Sequence, residues 1–236
     1  MLNRNAVAGL CLVGLCAVGC TKETTSSKNI KTPGIAALID VYADTDSTAT
    51  VHVALKIAGS SSNAYVTLEG TDKLKATAEG VEETLEVVDT GIYEAKFKGV
   101  KEDTEFNVTL ERPDDETASD NTGTLPPPYT LDDPMSNLSR KTDDLPLSWA
   151  PAESGDSMAL DIDGDCIFHW SKNVSDTGMY TVAADTLDST GGDKPETCDL
   201  TLEVDRNRKG SADGKFDPES YFKLHQRRSA TFTSKP

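Results

Sequence analysis

Ala49–Ile57, ATVHVALKI, decides the fold. Val51, Val53, Leu55 and Ile57 share one parity, and His52, Ala54 and Lys56 share the other. Successive side chains of an extended chain point to opposite faces, so this stretch is a strand with one buried face. Outward from it, Ala64–Leu68, Thr84–Val88, Ile92–Lys98 and Glu105–Glu111 are further short strand candidates, punctuated by Gly59, Gly70, Gly80, Gly91 and Gly99. A second group comprises Ser157–Cys166, Met179–Leu187, Asp199–Arg206 and Tyr221–Thr233. No window offers a long, capped amphipathic helix. Short strands at about ten-residue spacing with turn residues between them predict an all-β chain.

The two strand groups are separated by Arg112–Asp144, which carries PDDETASDNTGT and then three prolines at 126–128. Proline cannot donate to a sheet ladder and favours polyproline II. The predicted organisation is therefore a β-sandwich over residues 34–112, a Pro-rich acidic linker over 113–144, with a run along a sheet edge as the alternative for some of it, and a second β-sandwich over 145–236. Leu200, Leu202 and Val204 share the parity of Cys198. Asp199–Arg206 should pair antiparallel with Tyr221–Arg228, with Phe222 and Leu224 inward and Lys223, His225 and Arg227 outward. Gln226 and Arg228 share the inward parity, so a bulge or strand end is expected near them.

Asp89-Thr90-Gly91-Ile92-Tyr93 recurs as Asp176-Thr177-Gly178-Met179-Tyr180. A D-x-G-x-Y step into a strand resembles the tyrosine corner of immunoglobulin-like sandwiches. That resemblance implies two antiparallel sandwiches, with Tyr93 and Tyr180 in equivalent places and each hydroxyl bonded near the preceding corner. Neither Tyr is followed two residues later by Cys, since Ala95 and Val182 stand there. The usual inter-sheet disulfide is therefore absent.

The first twenty residues, MLNRNAVAGLCLVGLCAVGC, form a basic start with Arg4, an apolar run too short to span a bilayer comfortably, and small residues before Cys20. That is an export signal over residues 1–19. Its end, Ala17-Val18-Gly19-Cys20, resembles the lipobox of bacterial lipoproteins, with Ala17 where Leu is usual. The resemblance implies cleavage before Cys20, acylation of Cys20 and anchoring in membrane lipid. Thr21, rather than Asp, follows; by analogy with enteric sorting this points to the outer membrane. Thr21–Pro33, TKETTSSKNIKTP, is polar and aperiodic, so residues 20–33 read as the lipidated Cys and a flexible tether.

Of the five Cys, two lie in the signal and Cys20 is the acylation site, which leaves Cys166 and Cys198. An even pair in an exported chain predicts a disulfide. The net charge of −17 comes from 23 basic and 40 acidic residues; losing Arg4 with the signal leaves 22 against 40, or −18. Such a chain repels nucleic acid and anionic headgroups, so attachment falls to the acyl chains.

Candidate sites are sparse. Gly155-Asp156-Ser157-Met158 resembles the nucleophile block of GDSL-type esterases. That family pairs the Ser with a late D-x-x-H, and Ala49, Cys166 and Phe222 stand three before His52, His169 and His225. A turn before a strand accounts for the block. Asp161, Asp163 and Asp165 are weak calcium candidates, because Cys166 and Lys172 occupy the sixth and twelfth positions of the would-be loop. Strand parity makes them a solvated face. Asp205, Asn207 and Asp213 around Gly210 read as a hairpin loop. Trp149 and Trp170 read as core, and His169-Trp170 as a possible binding loop. Asn107, Asn137 and Asn173 match the N-glycosylation pattern by chance in a bacterial host. No cofactor and no catalytic residue is expected. The reading is a non-catalytic envelope lipoprotein that binds, adheres to or scaffolds an envelope protein or polymer. The alternatives are an anchored hydrolase or a carrier of a small ligand or metal.

Overall fold

The computed structural model describes residues 22–191 and 197–236, so Cys20 and the predicted signal lie outside the described residues. Among the described residues the fold is nearly all β, in a sandwich-like arrangement, with two short 3-10 turns at Ser27–Asn29 and Thr32–Gly34. The largest sheet has eleven strands. Its order is β1 (Glu23–Ser26), β4 (Ala64–Thr67), β3 (Thr48–Ile57), β2 (Ile35–Thr45), β18 (Tyr221–Lys235), β17 (Cys198–Lys209), β14 (Ser157–Asp163) and β15 (Trp170–Ser175). β8 (Ile92–Lys98) also pairs with β3 and carries β7 (Glu86–Asp89), and β12 (Leu138–Ser139) pairs with β18. A second sheet orders β10 (Ala118–Thr124), β9 (Glu105–Glu111), β5 (Lys73–Ala78) and β6 (Val81–Thr84). A third orders β11 (Thr130–Leu131), β13 (Leu145–Ala150) and β16 (Met179–Val182).

Parity builds two cores. Val51, Val53 and Leu55 of β3 and Ile35, Ile39 and Val41 of β2 meet Leu74, Phe106, Val108 and Leu110 from the second sheet. Met158, Leu160, Ile162, Leu200, Leu202 and Val204 meet Leu145, Leu147 and Trp149 from the third. The β17–β18 hairpin forms with the predicted faces, Asp205 opposite Arg227, but in another register: Asp199–Arg206 pairs with Gln226–Thr233 and not with Tyr221–Arg228. It is longer than predicted, so Asp199 meets Thr233.

The predicted boundaries need correction. β18 pairs in parallel with β2, Tyr221 against Leu38, and its Phe222 and Leu224 lie in the first core while Phe232 lies in the second. The 145–236 segment therefore completes the sandwich assigned to 34–112. The β1–β4, β12–β18 and β18–β2 pairs are parallel, so the sheets are not purely antiparallel.

Residues 113–144 are not a linker; the sheet-edge alternative holds for Ala118–Thr124, which forms the edge strand β10 of the second sheet. β10 pairs with β9, and Asn121 and Leu125 are fully buried. The prolines expose carbonyls with no N–H of their own, and a buried carbonyl needs a donor. The hairpin supplies them from the inward parity expected to break it. Arg208 NH1 donates to Leu125 O (3.0 Å), Gln226 Nε2 to Pro126 O (3.2 Å), Arg206 NH1 to Pro127 O (2.9 Å) and Pro128 O (3.3 Å), and Arg228 Nε to Tyr129 O (2.9 Å). Five consecutive carbonyls are thus satisfied by side chains. No bulge forms at Gln226 or Arg228: Gln226 Nε2 and Arg228 Nε each find a carbonyl opposite, while Gln226 Oε1 is buried without a partner.

The tether over 20–33 also needs correction. β1 pairs with β4 from Glu23 onward, and Ser27 and Thr32 are fully buried. The tyrosine corners are not equivalent. Tyr93 is buried, but its hydroxyl accepts from Leu68 N (2.8 Å) at the far end of β4. Tyr180 is half-buried beside Trp170, their ring centroids 6.3 Å apart.

Cys166 and Cys198 form a disulfide with their Cα atoms 6.0 Å apart, at the edge of the second core. Closing a loop of about 33 residues stabilises by about 3.7 kcal/mol in the chain-entropy model. Replacing both Cys by Ser is expected to lower the unfolding free energy by about that amount. Denaturant titration with unchanged midpoint would refute it.

Candidate functional site

The outward parity of the long sheet carries the chemistry. Cross-strand register aligns Asp40 with His52 and Lys223, Tyr42 with His225, His225 with Asn207, Arg227 with Asp205, and Glu203 with Asp161. His225 faces outward as predicted, yet it is buried, because its neighbours cover it. Its Nε2 lies 2.9 Å from Asp40 Oδ1, and its Nδ1 meets Asn207 Oδ1. The Tyr221 hydroxyl donates to Asp40 Oδ2 (3.0 Å). The Tyr42 ring stacks on the imidazole with centroids 4.6 Å apart. Burial, and then the Asp40 charge, push the Tyr42 phenol up to about 12.

Arg227 covers the other face of this cluster. Its guanidinium carbon lies 4.5 Å from the Tyr42 centroid, and Nε and NH2 donate to the two Asp205 oxygens at 2.8 Å each. Bidentate pairing with Asp205 holds the guanidinium charged against its partial burial. Beside it opens a groove of about 590 Å³, whose charged lining is Asp161, Asp163, Asp165, Asp199, Glu203, His169 and Arg227. Asp161 Oδ1 lies 3.4 Å from His169 Nε2; burial raises the Asp161 carboxyl, and the His169 charge opposes that. Five carboxylates face two bases, so the groove suits a cationic ligand.

The calcium reading of Asp161, Asp163 and Asp165 is not met. Asp161 and Asp163 stand on a regular strand opposite Glu203 and Thr201, while Asp165 lies in the following turn. Among the described residues no three His, Cys, Asp or Glu side chains converge to hold a metal ion. Ser157 is exposed at the start of β14, and Asp156 is held by Arg208 at 2.9 and 3.0 Å. Ser157, Asn207 and His225 lie in one cross-strand row. Both imidazole nitrogens are engaged, by Asp40 and Asn207, which leaves none to take a proton from Ser157. The parity of Asp161, Asp163 and Glu203 was readable in sequence. The Asp40, Tyr42 and Tyr221 contributions were not, because they depend on the β2–β18 pairing.

No family model matches the chain, and no curated protein matches it. Solved structures are similar to it. One is a DUF3823 family protein from Parabacteroides merdae ATCC 43184, at 11% identity and TM-score 0.24, over 82% of this chain and 99% of that one. Another is a tetra-tandem repeat in the extending region of a large adhesion protein, at 15% identity and TM-score 0.25, over 84% and 49%. A third is pullulanase type I from Bacillus subtilis str. 168 complexed with maltose, at 11% identity and TM-score 0.18, over 80% and 24%. The chain thus spans about half of the adhesion fragment and a quarter of the pullulanase.

Proposed function

We propose that this chain is a non-catalytic lipoprotein of the bacterial envelope, acylated at Cys20, which binds a basic segment of an envelope protein through the groove between Asp161 and Arg227. The observation that carries the binding reading is the outer sheet face. Its polar side chains are fixed by one another, and its groove gathers five carboxylates against His169 and Arg227. A preformed groove with an excess of carboxylates attracts an oppositely charged partner at low ordering cost. The sequence motif ending at Cys20 carries the envelope reading.

Hexalysine is the probe for the groove, titrated by calorimetry at low salt. Binding is expected, weakening with added salt. The triple variant Asp161→Asn, Asp163→Asn, Glu203→Gln should weaken it about tenfold or more, because each removed charge sits on the groove wall. Equal affinity in the variant, or equal binding of hexaglutamate, would place the attraction elsewhere and reject the groove.

A further inference from the structure

We infer that the fold sits flush on the bilayer in a fixed orientation, with the end of the long sheet where β1, β4 and β8 begin against the lipid and the acidic groove turned away. This rests on the acylation of Cys20 proposed above.

The length of chain outside the fold carries the inference. Only Thr21 and Lys22 separate Cys20 from β1. Three trans peptide steps limit the Cys20 Cα to about 11 Å from that of Glu23. The segment that follows has no slack. Glu23–Ser26 pair with Ala64–Thr67, and the Ser27 hydroxyl oxygen accepts from Glu69 N (3.1 Å). Lys22 itself is placed, pairing with Asp89 and lying 5.2 Å from the Tyr65 centroid. Acyl chains on Cys20 therefore bring the Lys22 corner to the headgroups.

Strand direction then sets which loops share that level. β1 is parallel to β4; β4 and β2 are both antiparallel to β3; β18 is parallel to β2. β8 is also antiparallel to β3, so all five begin at this end. The loop into β4, residues 58–63, reads AGSSSN and is uncharged. Gly91, which turns the chain into β8, has φ +65°, and a Cβ there would meet the Tyr65 Cβ at 2.7 Å. Lys22 and Lys56 both reach the Tyr65 ring. Among the acids nearby, Asp89 is paired with Lys22, and Glu219 accepts from Ser60 N and Oγ. This is a small-residue end with two Lys around a half-buried Tyr, which an anionic headgroup layer tolerates.

The acid lies at the opposite end. Asp199 pairs with Thr233, twelve residues along β18 from Tyr221, or about 40 Å of extended strand. The groove carboxylates run from Glu203, opposite Ser229, to Asp199, opposite Thr233, about 25–40 Å along the strand from that end and more than two Debye lengths from the lipid charge. The orientation therefore keeps the binding groove clear of the surface that would repel it.

The test uses the acylated protein purified from envelopes, with Cys166–Cys198 kept oxidised. A fluorophore is placed at Ser61→Cys or at Ser47→Cys, exposed positions beyond opposite ends of β3, about 30 Å apart. Each is bound to phosphatidylethanolamine–phosphatidylglycerol vesicles that carry rhodamine headgroups, and energy transfer is read. Transfer from position 61 is expected to exceed that from position 47 severalfold. A Gly/Ser insert of about fifteen residues after Thr21 should erase most of the difference. Equal transfer from the two positions in bound, uninserted protein overturns the seating and leaves the acylation reading standing. Protein that does not float with vesicles, and that is released no further by Cys20→Ser, overturns both.

Discussion

Asp176→Ala is expected to lower the unfolding free energy by about 3–5 kcal/mol, the cost of breaking a buried ion pair from one side. Asp176 sits where the Pro-rich segment, the β17–β18 hairpin and β13 meet. The Arg206 side chain is fully buried there, with NH2 3.0 Å from Asp176 Oδ2. Asp176 Oδ1 accepts from the Trp149 indole N–H (2.7 Å), and Oδ2 accepts from Ser154 N (3.1 Å) and Oγ (2.6 Å). Removing the carboxylate leaves a buried guanidinium held by the carbonyls of Pro127, Pro128 and Pro151 but without its counter-charge, and strands a buried indole N–H. For a chain of this size the midpoint should fall by on the order of 10 °C. A double-mutant cycle with Arg206→Met isolates the pair. The double variant should lose less than the sum of the singles, and strict additivity would show that Asp176 and Arg206 act independently.

The same variant has a defined pH signature. Burial alone would raise the Asp176 carboxyl, but donation from Ser154 and Trp149 and the Arg206 charge outweigh it and hold the folded pKa below the ordinary carboxylate value. A depressed folded pKa adds stability above the unfolded value of about 3.9, and this is lost as pH falls through the folded one. The stability gap between wild type and Asp176→Ala should therefore be full at neutral pH and narrow below about pH 4. A gap that stays constant from neutral pH down to pH 3 would rule out the carboxylate's charge as its source.

Why the sequence yields one part of this and not another follows from where each polar group finds its partner. Alternation in Ala49–Ile57 and in Leu200–Val204 reports burial directly, since apolar side chains have one way to be satisfied. The Cys166–Cys198 bridge was legible by elimination. Thr21–Pro33 and Arg112–Asp144 are polar in sequence, and polarity alone does not say whether water or a guanidinium does the satisfying. In the fold it is guanidinium groups: Arg112 for the first segment, Arg206, Arg208 and Arg228 for the second. Those arginines are far away along the chain. The 181-residue span between Asp40 and Tyr221 hid the outer-face cluster in the same way. β5 was missed for a different reason: its inward residues are Leu74, Ala76 and Ala78, and two alanines are a faint stripe.

Arg112→Ala is expected to cost about 3–5 kcal/mol as well, and to release the N-terminal segment first. The Arg112 side chain is 4% exposed and spends its whole fork on that segment and its surroundings. Nε donates to Asp72 Oδ2 (3.1 Å) and NH1 to Thr32 Oγ1 (3.1 Å), with Asp115 Oδ2 also 3.1 Å from NH1. NH2 donates to Ser27 O (2.5 Å) and Ile30 O (3.0 Å). Alanine would take this donor from two largely covered carboxylates and two backbone carbonyls, of which Asp115 keeps Thr32 N and Ser27 O keeps Ile30 N. Arg112→Lys should recover only part of the loss, because one ammonium cannot reproduce a planar fork serving five acceptors. Hydrogen exchange reads the order of events. Amides of residues 23–34 should exchange much faster in Arg112→Ala, while those of β3 and β17 follow only global unfolding. Uniform acceleration across the chain would mean that Arg112 stabilises the core in general and does not pin this segment. If the pinning is real, the variant also converts residues 22–34 into the slack tether that their composition suggests. In the acylated, vesicle-bound form proposed above, the energy-transfer difference between positions 61 and 47 should then shrink, as expected for the Gly/Ser insert, although no residue has been added. One buried guanidinium would thereby set both the stability of the N-terminal segment and the height of the groove above the lipid.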